Sequence, residues 1–146
     1  MENIKNVNNV NIGNCGEYYV AAELERRGFT VALPMSNVDN FDILARSKKT
    51  NKQYAIQVKT TTKKSWLLNK KAENLVEDDT FYVFVRIIGD KFPEFYVHSS
   101  KDVADMVKEE HVKWLNTAGK NGVKHNDNAM RSFKDLSNRD RWDLLE

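Results

Sequence analysis

The chain has one cysteine, Cys15, and only two prolines in 146 residues. A lone cysteine excludes an intrachain disulfide and a cysteine-based metal site. No apolar run approaches the roughly 20 residues that a membrane helix needs, so a membrane partner is not expected. The opening "MENIKNVNNVNIGN" is polar and Asn-rich and lacks the apolar centre of a signal peptide, which makes a cytoplasmic location the expectation. His98, His111 and His125 show no metal-ligand spacing, and His111 is expected to be partly exposed. No Ser/His/Asp arrangement and no Gly-rich phosphate loop stands out. One further absence is local. From Ile43 to Ala72 there are nine Lys or Arg and no Asp or Glu, which leaves 14 basic and 21 acidic residues elsewhere. An acid-free basic block on an otherwise acidic chain is a footprint for a polyanion. Lysines also guard exposed strand edges against aggregation, so charge alone leaves both readings open.

The length suits one domain with a core of its own. Residues 1–12 read as a flexible N-terminal tail and 13–146 as the domain. A helix is expected from Gly13 or Asn14 to Arg27, with Tyr18, Val20, Ala21, Ala22 and Leu24 as its apolar face and Gly28 as its stop. "FTVALP" reads as a strand. "FDILAR" and "QYAIQVKT" read as strands joined by the turn "SKKTNK". "TTKKSWLLNKKAENLVEDD" reads as an irregular connection with a short helix. "TFYVFVRII" reads as a central strand and "EFYVHS" as its return. Ser99 or Ser100 caps a second helix, "SKDVADMVKEEHVKWLNTA". "GKNGVKHNDN" is a loop, either a DNA-contacting element or a connector. "AMRSFKDL" and "NRDRWDLLE" read as short helical pieces anchored by Phe133, Trp142 and Leu145. The order predicts an α/β (α+β) fold, a single domain with a central mixed sheet flanked by helices.

Alternation places Gln57 and Lys59 on one face of their strand, with Ile56 and Val58 on the core face. A turn centred near Lys49 and Thr50 sets Asp42 opposite Gln57, with Cβ atoms about 5 Å apart. A half-residue shift of that centre would separate them. Asp42 Oδ, Gln57 Oε1 and the Val58 carbonyl are hard oxygen donors of the kind Mg²⁺ takes, and Lys59 can orient water or stabilise a pentavalent phosphate. A second carboxylate can come from the first helix, at Glu17 or Glu23. Surface glutamates and chance triplets produce the same letters, so spacing alone leaves catalysis open.

Together, "GEYYVAAELERRGFTV", "NFDILA" and "YAIQVKT" resemble the PD-(D/E)xK nuclease superfamily, over roughly Gly13 to Thr62. Archaeal-type Holliday junction resolvases are similar in this half, as are compact homing and restriction endonucleases that carry QxK. By position, Glu17 matches the helix acid, Asp42 the motif Asp, Gln57 the [D/E] position and Lys59 the motif lysine. The resemblance implies a restriction-endonuclease-like fold. It also implies Mg²⁺ or Mn²⁺ held by Glu17, Asp42, Gln57 and the Val58 carbonyl, and an active site at the hairpin edge with the basic window near the scissile phosphate. Duplex or branched DNA is the expected partner, and a homodimer with two active sites is the expected assembly. Phe41 stands where the motif name has Pro, and Gln57 replaces an acid, which removes one negative charge and favours a one-metal site. Six residues turn a helix by about 600°, so only one of Glu17 and Glu23 can face the ion well; the family pattern favours Glu17, which follows Gly16 near the helix start, and Glu23 is left to a second metal or a salt bridge.

Lys48, Lys49, Lys63 and Lys64 are candidates for phosphate contact, with Lys70 and Lys71 beside them. Thr61 shares the face of Gln57 and Lys59 and is the candidate hydroxyl for substrate contact. Trp66 either stacks on a base or anchors its loop. A second function stays open: a nuclease fold without catalysis, serving as a nucleic-acid- or protein-binding module or as a subunit of a restriction or defence system.

Overall fold

The computed structural model describes residues 7–36 and 41–146. Its first element is α1 (Asn9–Arg26), followed by β1 (Phe29–Ala32), β2 (Ile43–Ser47), β3 (Gln53–Thr61), β4 (Trp66–Asn69), β5 (Thr80–Arg86) and β6 (Glu94–Ser99). Then come α2 (Ser100–Asn116) and β7 (Met130–Phe133). Five strands form one mixed sheet in the order β1-β2-β3-β5-β6, antiparallel except for the parallel pair β3–β5. β4 and β7 form a separate antiparallel pair. The expected single-domain α+β fold with a mixed sheet is present.

The helix begins at Asn9, earlier than the expected Gly13, because Asn8 caps it. The Asn8 side chain accepts the Asn11 N–H at 2.9 Å, which satisfies an otherwise orphaned donor. Residues 9–12, expected in the tail, are therefore helical, and residues 1–6 lie outside the described residues. The helix stops where Gly28 takes φ +90°, a conformation that glycine adopts without strain.

The sheet has two differently built faces. Val20 and Leu24 of α1 pack on Ile43, Ile56, Val58, Val83, Val85 and Val97. On the other face Val103 and Val107 of α2, with Trp66 and Phe133 of the β4–β7 pair, cover Tyr82, Phe84 and Tyr96. The expected connection after Thr61 has its short helix, a 3-10 turn at Lys70–Glu73, but also holds β4, and the expected helix at "AMRSFKDL" is corrected to β7. Trp66 pairs with Phe133, and Leu68 with Arg131. Four-residue strands show too little alternation to be told from loops or short helices. What stabilises this pair is aromatic packing: Phe133 stacks on Phe84 with centroids 4.0 Å apart, and Trp66 Nε1 donates to the Val85 carbonyl at 2.9 Å. Trp66 is thus an anchor. The C-terminal Trp142–Leu145 piece is a short 3-10 helix whose Trp142 and Leu145 are buried, as anchors should be.

Candidate active site

The site forms where β3 outruns its neighbour. The β2–β3 ladder pairs Arg46 with Gln53 and ends at Ile43 with Ile56, so the turn is centred as the sequence predicts. β3 continues to Thr61, and among the described residues no strand pairs with that overhang on the β2 side. Odd-numbered β3 residues turn their backbone toward β5, as the Ala55 N–H to Asp79 and Ile87 N–H to Thr61 carbonyl bonds show. Even-numbered residues therefore turn theirs toward β2, and the Val58 N–H and C=O both open at the overhang.

Asp42 does not simply sit across from Gln57. Its own N–H donates to the Ile56 carbonyl at 2.8 Å, the residue already paired with Ile43. Two residues face one, as at a β-bulge, and a bulge re-aims the side chain it carries. The Asp42 carboxylate turns along the sheet edge, where Oδ2 accepts the Val58 N–H at 2.8 Å. The expected direct opposition of Asp42 and Gln57 is corrected to this edge-on arrangement.

Glu17 reaches the same edge from α1. Glu17 and Asp42 line one cavity of about 360 Å³ with Asn14, Pro34, Met35, Ser36 and Phe41. Partial burial, and next the Asp42 charge, hold the Glu17 carboxyl above the usual carboxylate range. The helix comes this close because Gly16 crosses directly over Thr60. A Cβ on Gly16 would fall 1.8 Å from Thr60 Oγ1 and 2.9 Å from its Cβ, so a larger residue forces the helix or the Thr60 side chain to shift. The Thr60 hydroxyl under this crossing is buried without a hydrogen-bond partner. Glu23, the other helix acid, is buried and bound by Arg26 at 2.8 Å and Arg27 at 3.4 Å, which makes it structural.

Gln57 and Lys59 are half-buried beside Tyr82 and Phe84 of β5, on the face that α2 covers, and do not line the Glu17–Asp42 cavity. Among the described residues no group of three or more His, Cys, Asp or Glu side chains is arranged to hold a metal. Thr61 Oγ1 accepts the Lys63 N–H at 3.1 Å and shapes the turn after β3, at the site's end of the sheet, where Lys63 and Lys64 are exposed. The expectation that the whole basic window borders the site is corrected. Lys48 and Lys49 lie in the β2–β3 turn, at the opposite end of the hairpin and about 20 Å away by strand rise. Charge counting along the chain cannot distinguish the two ends of a hairpin.

Searches against known proteins add a fold. No protein-family model and no curated protein sequence matches the chain. The solved structure of the bacterial homing endonuclease I-Ssp6803I matches with a TM-score of 0.56 at 12% identity, covering 94% of this chain and 91% of that one. The chain shares the fold of that endonuclease. Hjc, a Holliday junction resolvase from Archaeoglobus fulgidus, is also similar, with a TM-score of 0.48 and 16% identity over 84% of this chain and 83% of that one. Coverage of nearly the whole chain by the homing endonuclease means that the shared fold includes the C-terminal half, where the sequence resemblance is silent. His111 belongs to that half. It is buried rather than partly exposed, because its Nε2 meets Asp127 Oδ1 at 2.7 Å and its ring lies against Trp114.

Proposed function

We propose that the chain is a metal-dependent endonuclease that hydrolyses phosphodiester bonds in DNA. The observation that carries this reading is the pair of carboxylates, Glu17 and Asp42, in one cavity at the open end of β3. The donors there fit Mg²⁺ or Mn²⁺. Two carboxylates and a backbone carbonyl are hard oxygen ligands, and Mg²⁺ commonly binds through one or two carboxylates while keeping several waters. Glu17, Asp42 and the Val58 carbonyl would hold the ion, whereas Gln57 does not line their cavity and would reach the ion only from the α2 face of β3. When bound, the cation supplies Lewis-acid polarisation of the phosphate and an activated water.

The remaining work belongs to the chain. The bulge and the Val58 N–H fix the Asp42 carboxylate, so little reorganisation remains at the moment of binding. The Gly16–Thr60 crossing fixes Glu17. Lys59, on the strand of the motif, would supply positive charge to a non-bridging phosphate oxygen or orient the attacking water. An amide at Gln57 leaves the site one negative charge short of an acidic equivalent, which favours one metal over two. Lys63 and Lys64 would hold the DNA backbone beside the site, with Thr61 nearby. A homodimer would present two such sites to the two strands of a duplex, and light scattering at defined concentration reads the assembly.

The test is cleavage of plasmid and branched DNA with Mg²⁺ or Mn²⁺, comparing the wild-type chain with Lys59→Ala. Metal-dependent cleavage that vanishes in the variant supports the proposal, and cleavage that survives removes the mechanism. DNA binding with neither cleavage nor Mn²⁺ uptake in calorimetry would instead identify a binding module on a nuclease fold.

A further inference from the structure

Residues 43–72 and 111–126 together hold twelve of the 23 Lys and Arg and none of the 21 Asp and Glu. The two windows are far apart in sequence and meet in the fold. Leu67 of the first window and Trp114 of the second line one cavity of about 230 Å³, and just past the second window Asn69 pairs with Met130 and the Lys70 N–H donates to the Ala129 carbonyl at 2.8 Å. Of the four acids that border the windows, Glu73 pairs with Arg131, Glu110 with Lys134 and Asp127 with His111, while Asp42 belongs to the candidate active site. Lys70, Lys71, Lys120 and Lys124 are exposed, and none of them has an ion-pair partner among the described residues.

The second window carries a built projection. Ala118 bridges to Lys124, and the Gly119 N–H donates to the Val123 carbonyl at 2.7 Å. Asn121 and Gly122 turn the tip at φ +61° and +72°. The base is clamped to α2 by near-parallel rings. Trp114 lies between His111 and His125, with centroids 5.5 and 4.2 Å away. Gly119 lets His125 close, since a Cβ there would come within 3.0 Å of its ring. A fixed hairpin with exposed lysines flanking its tip loses little conformational entropy on binding.

We infer that the hairpin at 118–124 is a second DNA-contacting element, which binds the phosphate backbone through Lys120 and Lys124 and extends a contact surface that runs over Lys70 and Lys71. The inference rests on the reading of the chain as a DNA enzyme. Its test is anisotropy of a fluorescein-labelled DNA duplex without divalent metal, over a salt series, with the Lys120→Ala/Lys124→Ala double variant. Each phosphate contact contributes about 0.9 to the slope of log affinity against log salt, so the double variant should flatten it by about 1.8 and bind at least about tenfold more weakly near 0.1 M salt. Both lysines are exposed, so the melting temperature should not move. A Lys101→Ala/Lys108→Ala variant on α2, outside both windows, should bind as wild type. Wild-type affinity and slope in the hairpin variant would overturn the inference, as would equal loss in the α2 variant. Lys59-dependent cleavage in the same preparations reports on the enzyme reading separately. A wild-type chain that binds no duplex would overturn both.

Discussion

The two faces of the sheet do different jobs with different side chains. The α1 face mixes Val, Leu and Ile with Phe29, Tyr54, Phe95 and Trp142, and it is thin where Gly16 touches down on Thr60. The α2 face is packed with Trp66, Tyr82, Phe84, Tyr96 and Phe133, a thick layer that attaches the β4–β7 pair to the sheet. The thin face sets the distance between Glu17 and Asp42. The thick face holds the scaffold on which the acid-free surface lies. If this division is right, damage to the aromatic face should appear mainly as lost stability, and damage at the aliphatic crossing mainly as lost activity.

The largest effect should come from the aromatic side. Phe133→Ala removes the ring stacked on Phe84 and should cost about 3–5 kcal/mol, read as a fall in the urea midpoint with an unchanged slope. Lys59→Ala should do the opposite. Cleavage should fall about a hundredfold or more, on the scale of losing one transition-state donor, while the urea midpoint stays put. A variant that unfolds instead would place Lys59 among the structural residues. Gly16→Ala lies between the two. Overpacking against Thr60 should cost about 1–3 kcal/mol and raise the metal concentration needed for half-maximal cleavage. Adding Thr60→Ala removes the atom 1.8 Å away and should restore part of both losses. No recovery would argue against the crossing as the device that sets Glu17.

The smallest effect concerns pH. The Glu17 carboxyl is held above its ordinary value by burial and by Asp42. The folded state therefore binds its proton more tightly than the unfolded chain does, and stability falls as pH rises from the unfolded value of 4.5 through the raised one. Glu17→Gln removes that penalty. The variant should be slightly more stable than wild type near neutral pH and equal to it below the unfolded value, by thermal melts across that range. Glu17 is mostly solvated, so the gain should be small. A stability gain confined to acid pH would contradict the placement of the two carboxylates together.

Much of this arrangement was legible beforehand, and the reasons are local. The turn "SKKTNK" and the alternation of its flanking strands gave the pairing of Ile43 with Ile56, because side-chain period and turn length constrain neighbours a few residues apart. Ser99 was legible as a cap for the same reason, and it accepts the Asp102 N–H at 3.1 Å. Glu17 was preferred to Glu23 by the motif, and the ion pairs of Glu23 with Arg26 and Arg27 agree with that preference. The β4–β7 pair was not legible. Trp66 and Phe133 lie far apart in the chain, and each strand is only four residues long. Nor was the burial of His111, whose partner Asp127 comes from across the hairpin loop.

By itself the sequence determined which residues alternate, where helices start and stop, and which stretches lack acids, since each depends on neighbours along the chain. Only the tertiary structure decided where those features meet. The bulge at Asp42, the contact of Gly16 with Thr60 and the approach of the two acid-free windows at Leu67 and Trp114 all arise between segments distant in sequence. Periodicity reports the face a residue lies on, and packing decides what stands across from it.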